Sequence, residues 1–507
     1  MIARKSALIV ITNILNGILG YVALFFITRY IGPHDYGIVA FALGFVSLFS
    51  IFGNLGFSQA HIKKVSEGKN LGVCIGTFLA TKISLIGLMT SITLGAILFW
   101  KFILGRGFES PTHEIAIYIM MGYLAINILA LSFGVTFRAK KQIAKSSIPL
   151  FFETLVRVAV TIYVALAGFG AIALALTYIA GSLALLLSSL YFSRGLPVKK
   201  PSRDCFNDYS KFAYPLVIVN FCSTAMANID KILIQLFWSA SLVGYYAAAF
   251  RLSVFINMFT MAIGTLLFPI FSTLHANNDI KKIRRLTLRS ERYLSMIVFP
   301  IVFGMVALAE PAAFILLSGW MPVVPILQIL PFFVLFAALE RPYQSQFLGM
   351  NRPKIARNRV LIIVCFNVVL NIVLIPKDIQ MFNLNLAGLG AKGAALATVV
   401  SYAVGLIYSR VMAWRLTKVK GNPRIILHAI AAIIMAVILY IMLYNFNVIA
   451  FITRWYYLLG FSLFGLFIYI VILSLMKEFT KQDFQFFMDT LNIKKMVGYI
   501  HKEIREK

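Results

Sequence analysis

Long apolar segments recur along the whole of this chain, and they restrict its fold more than any other feature. About fourteen segments are long enough to cross the hydrocarbon core of a bilayer, which takes roughly 20 apolar residues in a helix. They lie at 6–31, 36–60, 72–100, 113–136, 148–167, 170–193, 212–237, 242–272, 293–317, 324–346, 358–376, 386–409, 425–445 and 453–476. A transmembrane β-barrel would show alternating strands of about ten residues instead. The sequence therefore predicts an all-α polytopic membrane protein with about fourteen transmembrane helices.

The composition supports this fold class. Only 13% of the residues are charged and 60% are hydrophobic, whereas a soluble domain carries about 25% charged residues. Most connections between the apolar segments are shorter than about 20 residues, so we expect no separate soluble domain. The first segment is too long for a cleavable signal peptide and lacks a small-residue cleavage site.

The basic residues are distributed in a way that predicts topology rather than nucleic-acid binding. The formal net charge is +29, and most of the 47 Lys and Arg residues fall on alternate connections. By the positive-inside rule these connections are cytoplasmic, and so are both termini. We therefore expect a multi-pass protein of the cell membrane whose basic loops attract anionic lipids, with no nucleic-acid partner. The basic connections are 61–71, 137–147, 194–211, 273–292, 347–359 and 410–424.

Cysteine and histidine give no sign of a metal site or a disulfide framework. The four Cys residues show no CxxC spacing, and the six His residues are scattered. The chain also lacks the GxxxxGK[ST] motif that cradles the phosphates of ATP. We expect no cofactor, and ATP is not predicted to drive the protein directly.

The chain contains an internal repeat. LAGFGA at 166–171 recurs as LAGLGA at 386–391. Asn13 and Asn220 are separated by the same number of residues as Gly37 and Gly244. Each copy has an even number of helices, so the copies share one orientation and are related by an axis along the membrane normal.

The repeat and the loops predict five parts. We expect two pseudo-symmetric six-helix lobes, a linker, two extra helices and a tail in which Phe, Leu and Ile alternate with charged residues, as in an interfacial amphipathic helix. The parts are an N-lobe at 1–193 (helices 1–6), a cytoplasmic linker at 194–211, a C-lobe at 212–413 (helices 7–12), extra helices 13 and 14 at 424–476, and a cytoplasmic tail at 477–507.

Several stretches resemble one family of transporters. NVVLNIVLIPKDIQMFNLNLAGLGAKGAALATVVSY at 367–402 is similar to a pattern of the polysaccharide flippases (Wzx-like) of the multidrug/oligosaccharidyl-lipid/polysaccharide exporter superfamily. RYIGPHDYGIVAFALG at 29–44 looks like the first outer turn of that family. IDKILIQLFWSASLVGYYAAAFRL at 229–252 looks like its seventh helix and the following turn, and LFPIFSTL at 267–274 like the end of its eighth helix. Together these stretches extend the resemblance over nearly the whole chain.

The resemblance implies a two-lobed bundle that flips lipid-linked oligosaccharides by alternating access, for the assembly of cell-surface polysaccharide or glycoprotein. Such a cargo carries a phosphate or pyrophosphate, a polar glycan and an isoprenoid tail. Its head group cannot cross about 30 Å of hydrocarbon unaided. A transporter would need a water-filled cavity with cations for the phosphates, while the tail stays in lipid.

Charged residues inside the apolar segments are the first candidates for such a cavity, because they are costly in a membrane and need a partner or a function. The intramembrane balance is basic, which favours an anionic cargo. The candidates are Lys82, Arg157, Lys231 and Arg251, with Asp230 as an acidic neighbour. Asn13 and Asn220 occupy equivalent positions of the repeat and could line the cavity, although Asn in membranes more often joins helices.

Asp230 and Lys231 are adjacent, and neighbours on a helix point about 100° apart. We expect Asp230 to pair with Arg251 while Lys231 faces the substrate. The alternative is that these charges only lock helices together. Glu153 and Arg157 have the i, i+4 spacing of a same-face pair, which favours a structural role.

Three other functions remain open. A drug/cation antiporter of the same superfamily would prefer acidic cavity residues. A membrane-embedded glycan polymerase or glycosyltransferase would need surface carboxylates, but the longest outer loop, 101–112, offers only Glu109. A scaffolding protein would need neither intramembrane charges nor a repeat. We expect a monomer, and the energy source stays open between an H⁺ or Na⁺ gradient, the membrane potential and removal of product.

Overall fold

The structure is a computed structural model, and it describes residues 2–103, 108–214, 217–379, 384–445 and 454–478. Nearly all of these residues are helical. Ten helices in the described part of the chain are long and apolar enough to cross a membrane, and shorter apolar helices accompany them. The all-α polytopic fold is therefore confirmed, while the count of fourteen spans stays a prediction.

The chain divides into two compact units, Ile2–Ala247 and Ala248–Lys507. The first ten helices start in the first unit, and the last of them crosses the boundary. They are α1 (Ile2–Tyr30), α2 (Pro33–Phe49), α3 (Phe57–Ser66), α4 (Leu71–Leu98, extended by a π-helical turn Phe99–Ile103), α5 (Pro111–Ala139), α6 (Ile143–Leu166), α7 (Ala171–Ser193), α8 (Arg203–Ala213), α9 (Val217–Phe237) and α10 (Ala240–Val254).

In the described part of the second unit there are nine further helices. They are α11 (Asn257–Ala276), α12 (Ile280–Ala307), α13 (Ala309–Leu316), α14 (Val324–Ile329, after a 3₁₀ turn Met321–Val323), α15 (Pro331–Gly349), α16 (Pro353–Leu374), α17 (Gly390–Thr417), α18 (Ile425–Tyr444) and α19 (Trp455–Leu475). Between α16 and α17, the two-residue strands β1 (Asp378–Ile379) and β2 (Leu384–Asn385) pair antiparallel.

The segment predicted as one span at 36–60 is broken in the structure. α2 ends at Phe49 and α3 begins at Phe57. In between, Leu55 and Gly56 have φ values of 43° and 81°. This left-handed conformation cannot continue a right-handed helix, and glycine is the residue that adopts it most readily. Because the helix is interrupted here, the side chain of Asn54 can accept hydrogen bonds from residues of other helices.

The segment predicted at 242–272 is also divided, into α10 and α11. The backbone N–H groups of Phe255 and Ile256 donate to the carbonyls three residues earlier, of Leu252 and Ser253, at 3.2 Å each. Such i→i−3 bonds tighten the chain and end the α-helical ladder. Arg251 therefore lies in the last turn of a short helix rather than in the middle of a long one.

Several connections predicted as loops are partly helical. α12 begins at Ile280, where the Asp279 carboxylate accepts from the Lys282 backbone N–H at 2.9 Å as an N-cap. The 194–211 connection contains the start of α8. Its preceding residues lie along α4, because Lys199 N–H donates to the Gly72 carbonyl and Ser202 N–H to Thr77 Oγ1, both at 3.0 Å.

A buried cluster joins α3, α4, α5 and α8. His61 is fully buried and shares hydrogen bonds with Tyr209 Oη at 2.9 Å and Thr136 Oγ1 at 3.0 Å. Its ring stacks on Phe78 with centroids 4.1 Å apart. Burial, and then the nearby charge of Lys82, lower the pKa of His61 to about 3, so this imidazole is neutral at physiological pH.

The two LAGxGA turns share a left-handed glycine at equivalent positions, although Gly170 is extended with φ −84° where its equivalent Gly390 has φ 54°. Gly168 has φ 71° and Gly388 has φ 65°, and a helix begins shortly after each, at Ala171 and Gly390. Only glycine adopts this left-handed conformation at no steric cost. The sequence match therefore corresponds to a repeated turn.

Candidate functional site

The predicted acidic site residue, Asp230, lies on α9 and is almost fully buried. Its Oδ2 accepts a short hydrogen bond from the Tyr246 hydroxyl on α10. The tyrosine satisfies one carboxylate oxygen, since a buried carboxylate needs donors to remain stable in an apolar interior. Sequence reasoning missed Tyr246, although the GYY motif that follows the turn was visible.

Lys231 lies beside Asp230 but turns to a different neighbour. Its aliphatic stem packs over Gly44 on α2, where a Cβ would lie 3.4 Å from the lysine Cδ. Its ammonium donates to Asn228 Oδ1 at 3.4 Å. Long cationic side chains commonly bury their stems in this way and keep the charged end in a polar environment. The different neighbours of Asp230 and Lys231 agree with their predicted 100° separation.

Arg251 lies in the last turn of α10 and is half-buried. Asp230 belongs to the unit Ile2–Ala247 and Arg251 to the unit Ala248–Lys507. The predicted Asp230–Arg251 pair stays a prediction.

Lys82 is a buried cation held by neutral oxygens. Only 2% of the residue is exposed. Its ammonium donates to Asn54 Oδ1 at 2.6 Å and to the Gly53 carbonyl at 3.2 Å, and it lies 5.5 Å from the Phe78 ring centroid. These acceptors come from the break between α2 and α3. Neither acceptor carries a formal negative charge, so an ammonium here would be attracted to an anion.

Arg157 forms the predicted same-face pair with Glu153. The Arg157 Nε lies 3.0 Å from Glu153 Oε1, and both side chains are mostly buried. The guanidinium also lies 5.2 Å from the ring centroid of Tyr178. Gly181 of α7 makes room, since a Cβ there would lie 2.9 Å from Arg157 Cβ. The i, i+4 ion pair is therefore confirmed.

The two repeat-related asparagines differ in environment. Asn13 is exposed on α1, whereas Asn220 on α9 is half-buried. The amide nitrogen of Asn220 is buried with no acceptor within hydrogen-bond distance among the described residues. A buried amide without a protein partner has donors left for a ligand. Their role in lining a cavity stays a prediction.

Helices α2 and α10 cross in direct backbone contact within the first unit. A Cβ on Gly37 would lie 1.7 Å from the carbonyl oxygen of Ala240, and a Cβ on Gly244 would lie 2.0 Å from that of Pro33. Pro33 and Ala240 have the same separation as Gly37 and Gly244. The contact is therefore reciprocal between equivalent positions, which supports the register of the repeat. No side chain larger than hydrogen fits here.

Glu109, in the loop between α4 and α5, accepts hydrogen bonds next to this helix crossing. Its Oε2 accepts from Gln235 Nε2 at 2.7 Å and from the Ala240 backbone N–H at 3.0 Å. The second bond satisfies an N–H in the first turn of α10, which has no partner within its own helix. Sequence reasoning singled out Glu109 only as a possible catalytic carboxylate, because the partner residues are far away in the sequence.

Three buried glutamates of the second unit form ion pairs that the sequence did not indicate. Glu291 pairs with Arg410, Glu340 with Arg359, and Glu478 with Arg292. Each glutamate is at most 1% exposed. Their arginines, by contrast, belong to the basic sequence regions that predicted topology. Part of the positive charge therefore compensates buried carboxylates.

The described residues contain no group of three or more His, Cys, Asp and Glu side chains that could hold a metal ion. The chemistry that these charges and amides can perform is binding. Cations and amide donors inside apolar helices can hold phosphate and sugar oxygens, and they offer no activated nucleophile.

Apolar spanning helices, internal charges and a reciprocal repeat contact define a polytopic membrane protein of the transporter class. A family model described as polysaccharide biosynthesis protein matches residues 26–325. The chain belongs to this family, which places it among the polysaccharide flippases of the multidrug/oligosaccharidyl-lipid/polysaccharide exporter superfamily. The resemblance found in the sequence is thus confirmed.

Two curated relatives come from Haloferax volcanii. The chain is 24% identical over 416 residues to the probable low-salt glycan biosynthesis flippase Agl15, covering 80% of this chain and 82% of the relative. It is 23% identical over 420 residues to the probable flippase AglR, with the same coverage. Both alignments extend over most of each protein.

Solved structures show the same fold. The lipid II flippase MurJ in an inward closed conformation matches with a TM-score of 0.72 and 16% identity, covering 92% of this chain and 98% of that one. An inward-facing multidrug resistance MATE family transporter matches with a TM-score of 0.63 and 15% identity, covering 80% and 96%. At these identities the likeness establishes the fold, and substrate must be argued from the site.

Proposed function

We propose that this protein flips oligosaccharides linked to an isoprenoid phosphate or pyrophosphate from the cytoplasmic to the outer leaflet by alternating access. The product would serve the assembly of a cell-surface polysaccharide or glycoprotein. The observation that carries the proposal is that the family match, over residues 26–325, includes the four cations predicted as site residues, Lys82, Arg157, Lys231 and Arg251. The names of the relatives, which are flippases of glycan biosynthesis, agree with it.

The electrostatics of the described helices support an anionic cargo. Glu153 is neutralised by Arg157, and Asp230 accepts a hydrogen bond from Tyr246. Lys82 and Lys231, in contrast, donate to uncharged amide oxygens. Charge-assisted hydrogen bonds from such cations to phosphate oxygens are about twice as strong as those between neutral groups.

A drug/cation antiporter is the second candidate, because a multidrug transporter shares the fold. A cationic drug would be attracted by a carboxylate without a counter-charge. The pairing of Glu153 and the environment of Asp230 favour a lipid-linked anion instead. A membrane-embedded glycan polymerase or glycosyltransferase has less support, because Glu109 of the outer loop bonds to Gln235 and Ala240.

The proposal includes a location and an arrangement. The protein would lie in the cell membrane as a monomer with both termini in the cytoplasm, and its lobes would be residues 1–193 and 212–413, with helices 13 and 14 at 424–476. The amphipathic tail predicted at 477–507 lies outside the described residues beyond Glu478. The energy source would be an H⁺ or Na⁺ gradient, the membrane potential or product removal.

The decisive experiment is reconstitution into proteoliposomes with a defined lipid-linked oligosaccharide. Flipping would be followed by the accessibility of the glycan to an enzyme added outside. We expect transport by the wild type, and a clear reduction in Arg251→Ala and Lys231→Ala without loss of membrane insertion. Arg251→Lys should recover part of the rate, because lysine keeps the charge but lacks the bidentate fork.

Three controls complete the experiment. A cationic drug in place of the lipid should not be exchanged. Cys introduced at His34 should react with an impermeant thiol reagent from outside, and Cys at Gln142 only after permeabilisation. The native cysteines, of which Cys365 is exposed, must first be replaced. Undiminished flipping in the Lys231→Ala/Arg251→Ala double variant would contradict the role of these cations.

A further inference from the structure

A second basic cluster lies inside the unit Ala248–Lys507, away from the cations predicted from the sequence. Its centre is Glu340 on α15, which is fully buried. One carboxylate oxygen of Glu340 pairs with Arg359 Nη2 on α16, and the other accepts from Ser409 Oγ on α17 at 2.7 Å. Three helices therefore fix the position of this carboxylate and, through it, of the Arg359 guanidinium.

Gln344 and Tyr402 hold the same guanidinium from two further sides. With its amide oriented toward Arg359, Gln344 accepts from Nη1 at 3.0 Å and from Nη2 at 3.2 Å. The Arg359 Cζ lies 5.9 Å from the ring centroid of Tyr402, at cation–π distance. Arg359 is thus positioned in advance, with only 13% of its side chain exposed.

Arg341 supplies a second positive charge to this cluster. It follows Glu340 directly and lies three residues before Gln344 on α15, a spacing that places Arg341 and Gln344 on the same side of the helix. Among the residues that the structure describes, Arg341 forms no ion pair. Its Nε is buried without an acceptor, and so is the Nε of Arg359.

This arrangement differs from the carboxylate cluster at Glu478 in the same unit. At Glu478, both Arg292 and Arg424 contact the carboxylate directly. At Glu340 only Arg359 does. Buried N–H groups without a partner are rare and costly. The Glu340 cluster therefore has an excess positive charge and two inward donors that its own side chains leave unused.

We propose that Arg341 and Arg359 bind the phosphate or pyrophosphate of an isoprenoid-linked lipid. Guanidinium groups match phosphate oxygens with paired N–H donors. The two arginines lie roughly 9–12 Å from the ends of α15 and α16 that face the cytoplasm in the predicted topology. The site would therefore be an early contact of the cargo. This inference rests on the proposed function, because it assigns the anion to the lipid that is flipped.

The same chemistry is presented by the phosphate of a membrane phospholipid, so the test has separate arms for the two sources. Purified full-length protein in a neutral detergent would be heated with geranylgeranyl diphosphate, with geranylgeraniol, or with phosphatidylglycerol. We expect the diphosphate to raise Tm in a saturable way and the alcohol to have no effect. Phosphatidylglycerol should not give this shift at equal concentration.

Arg341→Gln is the informative variant, because Arg341 forms no ion pair with any residue that the structure describes, so its loss leaves no described carboxylate uncompensated. Its Tm without ligand should equal that of the wild type. Its apparent affinity for the diphosphate should fall at least about tenfold, the loss expected for hydrogen bonds to a charged group. Arg341→Lys should recover part of it. The matched control is Arg357→Gln, an exposed residue of α16, which should bind like the wild type.

The proposal is overturned if Arg341→Gln binds the diphosphate as the wild type does, or if Arg357→Gln loses as much affinity. It is also overturned if phosphatidylglycerol alone gives the Arg341-dependent shift, since the anion would then belong to a membrane lipid. A protein that binds the diphosphate through Arg341 but fails to flip any lipid-linked glycan would retain this site and contradict the proposed function. If instead the protein flips lipid-linked glycans and Arg341→Gln leaves binding of the diphosphate unchanged, the proposed function would be retained and this site would be contradicted.

Discussion

The two compact units hold most of their buried polar groups in different ways. In Ala248–Lys507, buried glutamates pair with arginines from distant helices, as Glu478 does with Arg292 and Arg424. In Ile2–Ala247, apart from the Glu153–Arg157 pair within α6, the Lys82 ammonium is held by an amide and a backbone carbonyl, and the neutral imidazole of His61 by two hydroxyl groups. Substitutions in a buried ion pair are costly, because removing one partner leaves the charge of the other without compensation. Charges on neutral partners can be removed or bound by a ligand at less cost.

The largest effect should come from Glu478. Glu478→Gln removes the charge that compensates Arg292, and breaking a buried pair costs about 3–5 kcal/mol. We expect a matching loss of stability in thermal unfolding in detergent. Truncation after residue 477 should have the same effect, whereas truncation after residue 480 should leave both stability and flipping largely intact. If the protein truncated after residue 477 were as stable as the protein truncated after residue 480, the Glu478 carboxylate would be dispensable.

The second effect concerns pH and belongs to the first unit. The pKa of His61 is lowered to about 3, so the unfolded chain binds a proton below pH 6.5 that the folded protein does not. The contribution of His61 to stability is therefore fully present above pH 6.5 and falls by about 1.4 kcal/mol for each pH unit below it, until about pH 3. At pH 5 the loss expected from His61 is about 2 kcal/mol.

Comparison of unfolding at pH 7 and pH 5 would measure this loss. His61→Gln keeps the hydrogen-bonding capacity but does not titrate, so its stability should fall less between the two pH values. His34→Gln is the matched control and should keep the wild-type pH dependence. An unchanged slope in His61→Gln would assign the acid sensitivity to other groups.

The third effect tests Lys82. Lys82→Met removes the cost of burying a charge together with its hydrogen bonds to Asn54 and Gly53, so stability should change by no more than about 1 kcal/mol. Ser58 still donates to Asn54 Oδ1, at 2.7 Å. Flipping should nevertheless fall if Lys82 serves the cargo. A stability loss as large as that of Glu478→Gln would remove the contrast between the two units.

The smallest effect is expected for an ion pair of the first unit whose carboxylate is exposed. Lys64 Nζ lies 3.2 Å from Glu67 Oε2 on α3, and the glutamate side chain is 42% exposed. Solvent screens such a pair, so Glu67→Gln should change stability by less than about 1 kcal/mol. Thermal unfolding at low and high salt would measure it. A large loss of stability in Glu67→Gln would mean that ion pairing itself, rather than the burial of the paired charges, determines the difference between the two units.

These predictions draw on contacts that the sequence indicates to different degrees. The apolar segments predicted most helices, because hydropathy determines which residues can lie in lipid. The Glu153–Arg157 pair was predictable because both residues lie on one helix face. The bond between Arg292 and Glu478 was not, because it joins residues 186 positions apart. Lys82 and Asn54 meet only because the chain breaks after α2, which the GNLG sequence at 53–56 could have suggested.

The Glu340 cluster shows the same limit. Arg341 and Arg359 were read as part of the basic loop that sets topology, because hydropathy averages over a window and does not distinguish a residue inside a helix bundle from one at its end. Pairing of Glu340 with Arg359 depends on how α15 and α16 pack. Asp230 was recognised from its apolar surroundings, but its partner Tyr246 required the structure, since hydroxyl donors are too common to carry a signal.

The reciprocal crossing at Gly37 and Gly244 has a further consequence. Pro33 contacts Gly244 while Ala240 contacts Gly37, which is the pattern of an isologous interface in a homodimer. In a homodimer every substitution appears in both subunits. A single chain that contains both copies of the repeat can carry a substitution in one copy and not in the other. Gly44 accordingly has its repeat equivalent in Arg251, and Leu24 in Lys231. The chain thus keeps a symmetric helix contact while only one of two equivalent positions carries the charge of Lys231 or of Arg251.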